Sequence, residues 1–112
     1  MVILDKLTYA GVLTNLKESE GKTNVRFVQG DICDASLVSD LISDVDAVIN
    51  FAAESHVDRS ISGAADFVQT NIVGVQVLLD SIKASGRQIR FLQVSTDEVY
   101  GSITEGSWDE SF

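Results

Sequence analysis

The fold of this chain is decided by residues 91–101, which are FLQVSTDEVYG. The apolar run at the start of this stretch predicts a buried β-strand, and Thr96, Asp97 and Glu98 follow that strand almost at once. A hydroxyl and two adjacent carboxylates therefore stand at a strand's end, which is the edge where ligands bind in open parallel α/β sheets. By itself such a triplet is more often a solvated turn, because loops are usually polar surface. The choice between the two interpretations depends on the rest of the chain.

Strand and helix patterns alternate along the whole chain. Apolar runs predict strands over residues 2–4, 25–29, 47–51 and 90–94. Helical spacing predicts a short helix over residues 12–18, a helix that Asp34 caps and that runs to about Ser43, and a long helix over residues 64–85 that Gly86 ends. Loops are predicted over residues 52–60 and 101–112. This order predicts an α/β fold, with a parallel sheet covered by helices on both faces and joined by right-handed crossovers.

Composition narrows the class of protein. A chain of 112 residues that is 45% hydrophobic and 22% charged fits one domain, or part of one. Its net charge of −9 and the lack of a basic stripe argue against nucleic acid and anionic membranes as partners. With no long apolar run and no signal peptide, the default expectation is a soluble, cytoplasmic protein. The single Cys33 excludes an internal disulfide, and no Cys/His spacing indicates a metal site.

Acidic residues follow the first two predicted strands. Asp5 is suited to accept hydrogen bonds from the ribose hydroxyls of an adenosine and to repel a 2′-phosphate, which favours NAD over NADP. The alternative for Asp5 is a turn or helix cap. After the second strand, Asp31 is placed to meet an adenine amino group while Ile32 packs on the adenine ring. Together with the other strand ends, these residues favour a nucleotide-type site.

The third strand end and the long helix carry weaker signals. Small residues within 51–55 allow a flat or extended ligand to approach the backbone. The sole histidine, His56, is more often structural than catalytic, and Asp58 with Arg59 is more often a surface pair. Thr70 and Asn71 interrupt the apolar face of the long helix, so they are either exposed or reach a ligand or a neighbouring loop.

Five stretches in the right order make the chain similar to a known family. These are residues 5–11 (DKLTYAG), 30–34 (GDICD), 51–60 (FAAESHVDRS), 70–74 (TNIVG) and 95–101 (STDEVYG). They resemble the dTDP-glucose 4,6-dehydratase family of the extended short-chain dehydrogenases/reductases. The triplet of Thr96, Asp97 and Glu98 is the specific part of the resemblance, because sister epimerases lack the two carboxylates there.

The resemblance implies a cofactor and assigns residues to it. The cofactor is tightly held NAD, and the substrate is a dTDP-hexose. The adenosine would be held by Asp5, Lys6, Leu7 and Thr8, and the adenine by Asp31 and Ile32. The rest of the cofactor would be lined by Phe51, Ala52, Ala53, Glu54, Ser55 and Thr70. Family members are commonly homodimers, and the long helix is one candidate face for that contact.

The resemblance also implies catalytic roles in a lyase reaction. Hydride leaves C4 of the glucose for NAD, water is lost across C5 and C6, and hydride returns to C6 to give dTDP-4-keto-6-deoxyglucose. Glu98 would be the base at C5, and Asp97 would be the acid at the C6 hydroxyl. Thr96 would hydrogen-bond the C4 oxygen, and Ser55 would face the sugar with it.

Several parts of the family pattern are missing from this chain. The family has a strand and a Gly-rich phosphate turn ahead of the position of Asp5, a Tyr-x-x-x-Lys pair, and a C-terminal substrate domain. Tyr100 does not replace the tyrosine of that pair, because Thr104 stands four residues on. In the strand order 3-2-1-4-5-6, the absent strand would sit between the others. The first two strands here should therefore pair with each other, and the last two likewise, with apolar edges exposed.

These observations predict that residues 1–112 are a partial NAD-binding domain of a Rossmann-type doubly wound sheet, incomplete at both ends. The parent protein would be a dTDP-glucose 4,6-dehydratase, and the chain by itself would be inactive. One alternative is another nucleotide-sugar dehydratase or a decarboxylase of the same superfamily, with a UDP or GDP substrate. A second alternative is a non-catalytic nucleotide-binding module.

Overall fold

The computed structural model describes residues 1–111, apart from the side chains of Val57, Arg59 and Ser62. The strands in this part of the chain are β1 (Val2–Asp5), β2 (Arg26–Gln29), β3 (Ala47–Asn50) and β4 (Arg90–Gln93). The α-helices are α1 (Ala35–Ile42), α2 (Val57–Ser62), α3 (Ala64–Val68) and α4 (Val75–Ala84). A π-helical turn (Gln69–Gly74) joins α3 to α4, and 3₁₀ helices span Leu13–Ser19 and Asp97–Tyr100. The predicted order of strands and helices is confirmed.

The strands form two separate parallel pairs. β1 lies beside β2 with Ile3 opposite Phe27, and β3 lies beside β4 with Ile49 opposite Leu92. No strand pairing joins the two sheets within the described residues. The predicted pairing of the strands two by two is therefore confirmed, and so is the α/β class.

Helix α1 has a polar contact at each end. The Asp34 carboxylate accepts hydrogen bonds from the Ser36 and Leu37 amides at 3.0 and 3.1 Å, as predicted for an N-cap. Such a cap contributes about 1 kcal/mol to stability. At the other end, the Arg87 guanidinium donates to the Ile42 carbonyl at 3.1 Å and also binds the Asp46 carboxylate. Because Arg87 follows α4, this contact ties the end of α1 to the segment that leads into β4.

The hydrophobic core lies between the helices and both sheets. Its buried members, Ile32, Val38, Ile42 and Leu78, come from α1, α4 and the loop after β2. Leu4 of β1 packs against this cluster, as do Val48 of β3 and Phe91 of β4. The two sheets are therefore held together by side chains packed on α1 and α4, because strand hydrogen bonds do not join them.

One face of the second sheet remains apolar and exposed, so the predicted cover of helices on both faces is not observed for this sheet within the described residues. Ile49 and Leu92 lie opposite each other in the register and are 57% and 56% exposed. Val48 and Phe91 are their neighbours along the strands, and they point to the other face, where they pack on the core. Side chains alternate between the two faces of a strand, so a strand covered on one side only leaves every second residue in solvent.

One predicted boundary and the middle of the long predicted helix differ from the structure. The segment predicted to be a loop up to Ser60 becomes helical at Val57, where α2 begins. Asp58 lies in the first turn of this helix, where its negative charge interacts favourably with the positive end of the helix dipole. The predicted helix over residues 64–85 is confirmed, and Gly86 (φ 64°) ends it as expected. Its middle turn is π-helical, however, which the apolar spacing did not show.

Candidate functional site

The turn after β1 is shaped by the carboxylate of Asp5. Its Oδ1 accepts a hydrogen bond from the Leu7 amide at 2.7 Å. Leu7 has a φ of 55°, in the left-handed region that few residues other than glycine adopt. Asp5 is exposed, and its second carboxylate oxygen is suited to accept a bond from a ligand hydroxyl. Asp5 therefore caps the turn, as the alternative interpretation predicted, and its contact with a ribose stays a prediction.

An ion pair joins the ends of β1 and β2. The Lys6 Nζ atom lies 2.6 Å from Oδ2 of Asp31, whose Oδ1 accepts a hydrogen bond from the Cys33 amide. Burial raises the pKa of Asp31, but the hydrogen bonds from Lys6 and Cys33 outweigh it, so its pKa lies below the ordinary value. The hydrogen bond to Asp31 in turn raises the pKa of Lys6. The two predicted acidic positions, Asp5 and Asp31, thus stand at one sheet edge.

Replacing Lys6 with methionine is expected to raise the pKa of Asp31, because burial persists while the hydrogen bond and the charge are lost. In the wild type, ionised Asp31 stabilises the fold above its unfolded-state pKa, and this contribution is lost as the pH falls through the lowered pKa. In Lys6→Met this contribution to stability should be smaller, because the folded-state pKa of Asp31 moves closer to its unfolded-state value. Carboxyl ¹³C NMR during an acid titration measures the shift. Lys22→Met, at an exposed turn, is the matched control, and an unchanged Asp31 titration would refute the role of Lys6.

Ile32 follows β2 and turns its side chain into the core. Its side chain is only 8% exposed and belongs to the core. A Cβ atom on Gly74 would come within 2.4 Å of its Cδ1, so the helix packs closely over it. The structure therefore gives the Ile32 side chain a place in the core, and its predicted contact with an adenine ring stays a prediction. An apolar residue just after a strand can point either way, and here the approach of the helix at Gly74 favoured the inward orientation.

Asn50 determines how the chain leaves β3. It is 4% exposed, and its Nδ2 donates to the side-chain carbonyl of Gln93 on β4 at 2.9 Å. Its Oδ1 accepts a hydrogen bond from the Ala52 amide at 3.1 Å. The next residue, Phe51, is 73% exposed. The sequence analysis did not single out Asn50. A side-chain amide at the end of a buried strand could have indicated it, because buried polar groups need hydrogen-bond partners.

The loop after β3 is held by the π-helical turn. The Glu54 amide donates to Oδ1 of Asn71 at 2.8 Å, and Nδ2 of Asn71 donates back to the Glu54 carbonyl at 2.8 Å. Of the alternatives predicted for Asn71, the contact with a neighbouring loop is observed, and the residue is also exposed. The Cys33 thiol, from the loop after β2, donates to the Gln69 carbonyl at 3.2 Å. Thr70 lies half-buried between these two contacts.

Loops from both sheets therefore meet one helical turn. The loop after β2 reaches it through Cys33, and the loop after β3 reaches it through Glu54. The chain after β4 starts at the same edge, because the Val94 amide donates to the Asn50 carbonyl at 3.0 Å. The predicted clustering of strand ends is thus observed. It includes strand ends from both sheets, although no strand hydrogen bonds join these sheets within the described residues.

The acidic stretch forms a 3₁₀ turn on the surface. Asp97 and Glu98 are both exposed, and a hydrogen bond from the Thr96 side chain lowers the pKa of Glu98. The ring of Tyr100 stacks on that of Trp108, with centroids 5.7 Å apart. Asp97 and Tyr100 border an open groove with residues 106–110. Glu98 is not among the residues that line this groove, but its exposed carboxylate beside the Thr96 hydroxyl is suited to accept a proton.

Two further predictions concern His56 and the pair of Asp58 with Arg59. His56 and Asp58 are exposed, while the side chain of Arg59 lies outside the described residues, so the surface pair stays a prediction. Within residues 1–111, no helix combines the length and the apolar character that crossing a membrane requires.

Comparison with known proteins gives consistent matches along the chain. The family model described as GDP-mannose 4,6 dehydratase matches residues 1–112. A dTDP-glucose 4,6-dehydratase of Streptomyces niveus is 56% identical over 98% of this chain and 32% of its own length. The low-salt glycan biosynthesis protein Agl12 of Haloferax volcanii is also 56% identical, over 98% of this chain and 35% of its own length.

A solved structure overlaps with this one closely. DesIV, a dTDP-glucose 4,6-dehydratase from Streptomyces venezuelae crystallised with NAD and TYD bound, has 53% identity and a TM-score of 0.91. The match covers 98% of this chain and 34% of that structure, which confirms the partial Rossmann-type fold. The chain spans about a third of the length of the relatives it matches. It belongs to the GDP-mannose 4,6 dehydratase family.

Proposed function

We propose that this chain is part of the NAD-binding domain of a nucleotide-sugar 4,6-dehydratase, a lyase that acts on dTDP-glucose. The observation that carries the proposal is the acidic turn of Asp97 and Glu98, which follows β4 at the edge where the other strand ends meet. Relatives named dTDP-glucose 4,6-dehydratase, at 50% identity or more, support the same choice of nucleotide.

The residues at the first sheet edge fit an adenosine. Asp5 offers an exposed carboxylate oxygen for ribose hydroxyls, and Asp31 has acceptor capacity left beside Lys6. Two carboxylates at this edge disfavour a 2′-phosphate, so the cofactor we propose is NAD. The residues that would hold it are Asp5, Lys6, Leu7, Thr8, Asp31, the backbone of Ile32, Phe51, Ala52, Ala53, Glu54, Ser55 and Thr70. When bound, NAD supplies an acceptor for the hydride of C4 and returns it to C6.

The protein's own residues would carry out the elimination. Glu98 takes the proton from C5, and the hydrogen bond from Thr96, which lowers its pKa, favours the ionised form that a base requires. Asp97 donates a proton to the C6 hydroxyl, which leaves as water. Thr96 and Ser55 bind the sugar and orient it between these two carboxyl groups.

A second candidate differs in the nucleotide. The family description names a GDP-sugar. The superfamily alternative with a GDP or UDP substrate is therefore retained. The homodimer, the cytoplasmic location and the boundaries of the domain remain predictions.

Purified full-length protein should decide between these candidates. It is expected to convert dTDP-glucose to the 4-keto-6-deoxy sugar, seen by NMR, with a higher kcat/KM than for UDP-glucose or GDP-mannose. The isolated 112-residue chain is expected to be inactive. A preference for GDP-mannose would favour the second candidate. No dehydration of any of the three sugars would refute the dehydratase assignment, and dehydration by the isolated chain would refute its dependence on a larger protein.

A further inference from the structure

We propose that Asn71 is a positioning residue that fixes the loop of residues 51–55 in the conformation that receives the cofactor. This inference rests on the proposed function, which places that loop against NAD. Asn71 itself is not assigned to the cofactor. It would act through the backbone of Glu54, to which its amide is bound on both sides.

The Asn71 side chain makes two hydrogen bonds with the backbone of a single residue, Glu54. A side-chain amide carries an acceptor and a donor, and here Oδ1 and Nδ2 of Asn71 meet the N–H and the C=O of the same residue, Glu54, each at 2.8 Å. With both backbone groups held, rotation of the chain at Glu54 breaks at least one bond. Elsewhere in the loop, Asn50 Oδ1 holds the Ala52 amide, while Ala52 and Ala53 have no side-chain bonding groups of their own.

The π-helical turn explains how Asn71 reaches the loop. A π turn inserts one extra residue into the helical repeat, and such turns are frequent at functional sites. Here the turn is secured from the other sheet as well, because the Cys33 thiol binds the Gln69 carbonyl. Gly74, at the end of the turn, allows the helix to pack onto Ile32, since a Cβ atom there would lie 2.4 Å from Ile32 Cδ1. Asn71 is therefore presented from a helix that is packed on the core.

The test compares three variants of the full-length protein. Asn71→Ala removes both hydrogen bonds. Asn71→Asp keeps the shape and the acceptor for the Glu54 amide, but it places an oxygen opposite the Glu54 carbonyl. Gln76→Ala is the matched control, because Gln76 is exposed on α4 and has no side-chain hydrogen bond among those described. The measurements are amide hydrogen exchange over residues 51–55, the dissociation constant for NAD, and kcat at saturating NAD.

Asn71→Ala is expected to speed exchange at the Glu54 amide and to weaken NAD binding, each by about tenfold, because the competent loop conformation becomes a minor state. Asn71→Asp should keep more of the Glu54 protection than Asn71→Ala does. In both variants kcat at saturating NAD should stay at the wild-type value, since bound cofactor reorders the loop. Gln76→Ala should match the wild type in all three measurements.

Two results would overturn the inference. One is wild-type exchange at Glu54 in Asn71→Ala, which would show that Asn71 does not hold the loop. The other is faster exchange with unchanged NAD affinity, which would show that the loop does not receive the cofactor. If the wild-type protein binds no NAD, the proposed function fails and the cofactor part of the inference fails with it. The exchange rates then still decide whether Asn71 holds Glu54.

Discussion

Glu98→Gln in the full-length protein is expected to lower kcat by about 10² to 10⁴-fold, the usual contribution of a general base. An amide cannot take the C5 proton, whereas glutamine keeps the shape of the side chain and can still accept a hydrogen bond from Thr96. The Thr96 hydrogen bond lowers the pKa of Glu98, which favours the ionised form that a base requires. NAD affinity should not change, because Glu98 is assigned to the sugar and not to the cofactor.

Exchange of the C5 proton with deuterated water separates the base from the acid. Glu98→Gln should lose both this exchange and the elimination of water. Asp97→Asn should retain exchange at C5 while elimination falls, because only the proton for the leaving hydroxyl is missing. Glu105→Gln, an exposed carboxylate in the same tail, should behave as the wild type. If Glu98→Gln retained C5 exchange, Glu98 would not be the base. If only Asp97→Asn lost this exchange, Asp97 would be the base and the two roles would be reversed.

Ile32→Ala is expected to cost about 2 to 5 kcal/mol of the free energy of unfolding, as for other large apolar residues removed from a core. Ile32 is 8% exposed and packs with Val38, Ile42 and Leu78. Urea-induced unfolding without added cofactor is the measurement. Ile61→Ala, at a residue that is 82% exposed, is the control and should change stability by less than about 0.5 kcal/mol.

The same experiment tests whether the Ile32 side chain packs in the core or on an adenine ring. If its side chain covered an adenine ring, Ile32→Ala would weaken NAD binding and leave the cofactor-free stability unchanged. A double-mutant cycle with Gly74 sharpens the comparison. Gly74→Ala should destabilise the wild type, because the new Cβ would lie 2.4 Å from Ile32 Cδ1. It should cost less in Ile32→Ala, where Cδ1 and also Cγ1 (2.7 Å from the new Cβ) are absent, and purely additive effects would contradict the packing described.

Local patterns were sufficient to predict the elements and much of the site. Apolar runs located all the strands described, and the caps at Asp34 and Gly86 located the ends of two helices. Because the chain enters parallel strands from the same side, their carboxyl ends must share an edge. The placement of Asp5 and Asp31 at one edge followed from strand order alone, and the ion pair of Lys6 with Asp31 agrees with it.

Tertiary structure decided the contacts that connect these elements. Asn50 bonds to Gln93 across 43 positions, Cys33 to Gln69 across 36, and Asn71 to Glu54 across 17. The inward turn of Ile32 and the π-helical turn depend on the same close packing of helix on loop. Apolar periodicity and capping act over a few residues, so the sequence by itself determined the strands, most of the helices and the strand ends that meet. Contacts between distant segments depend on how the crossovers bring the helices onto the sheets, and only the folded chain contains that information.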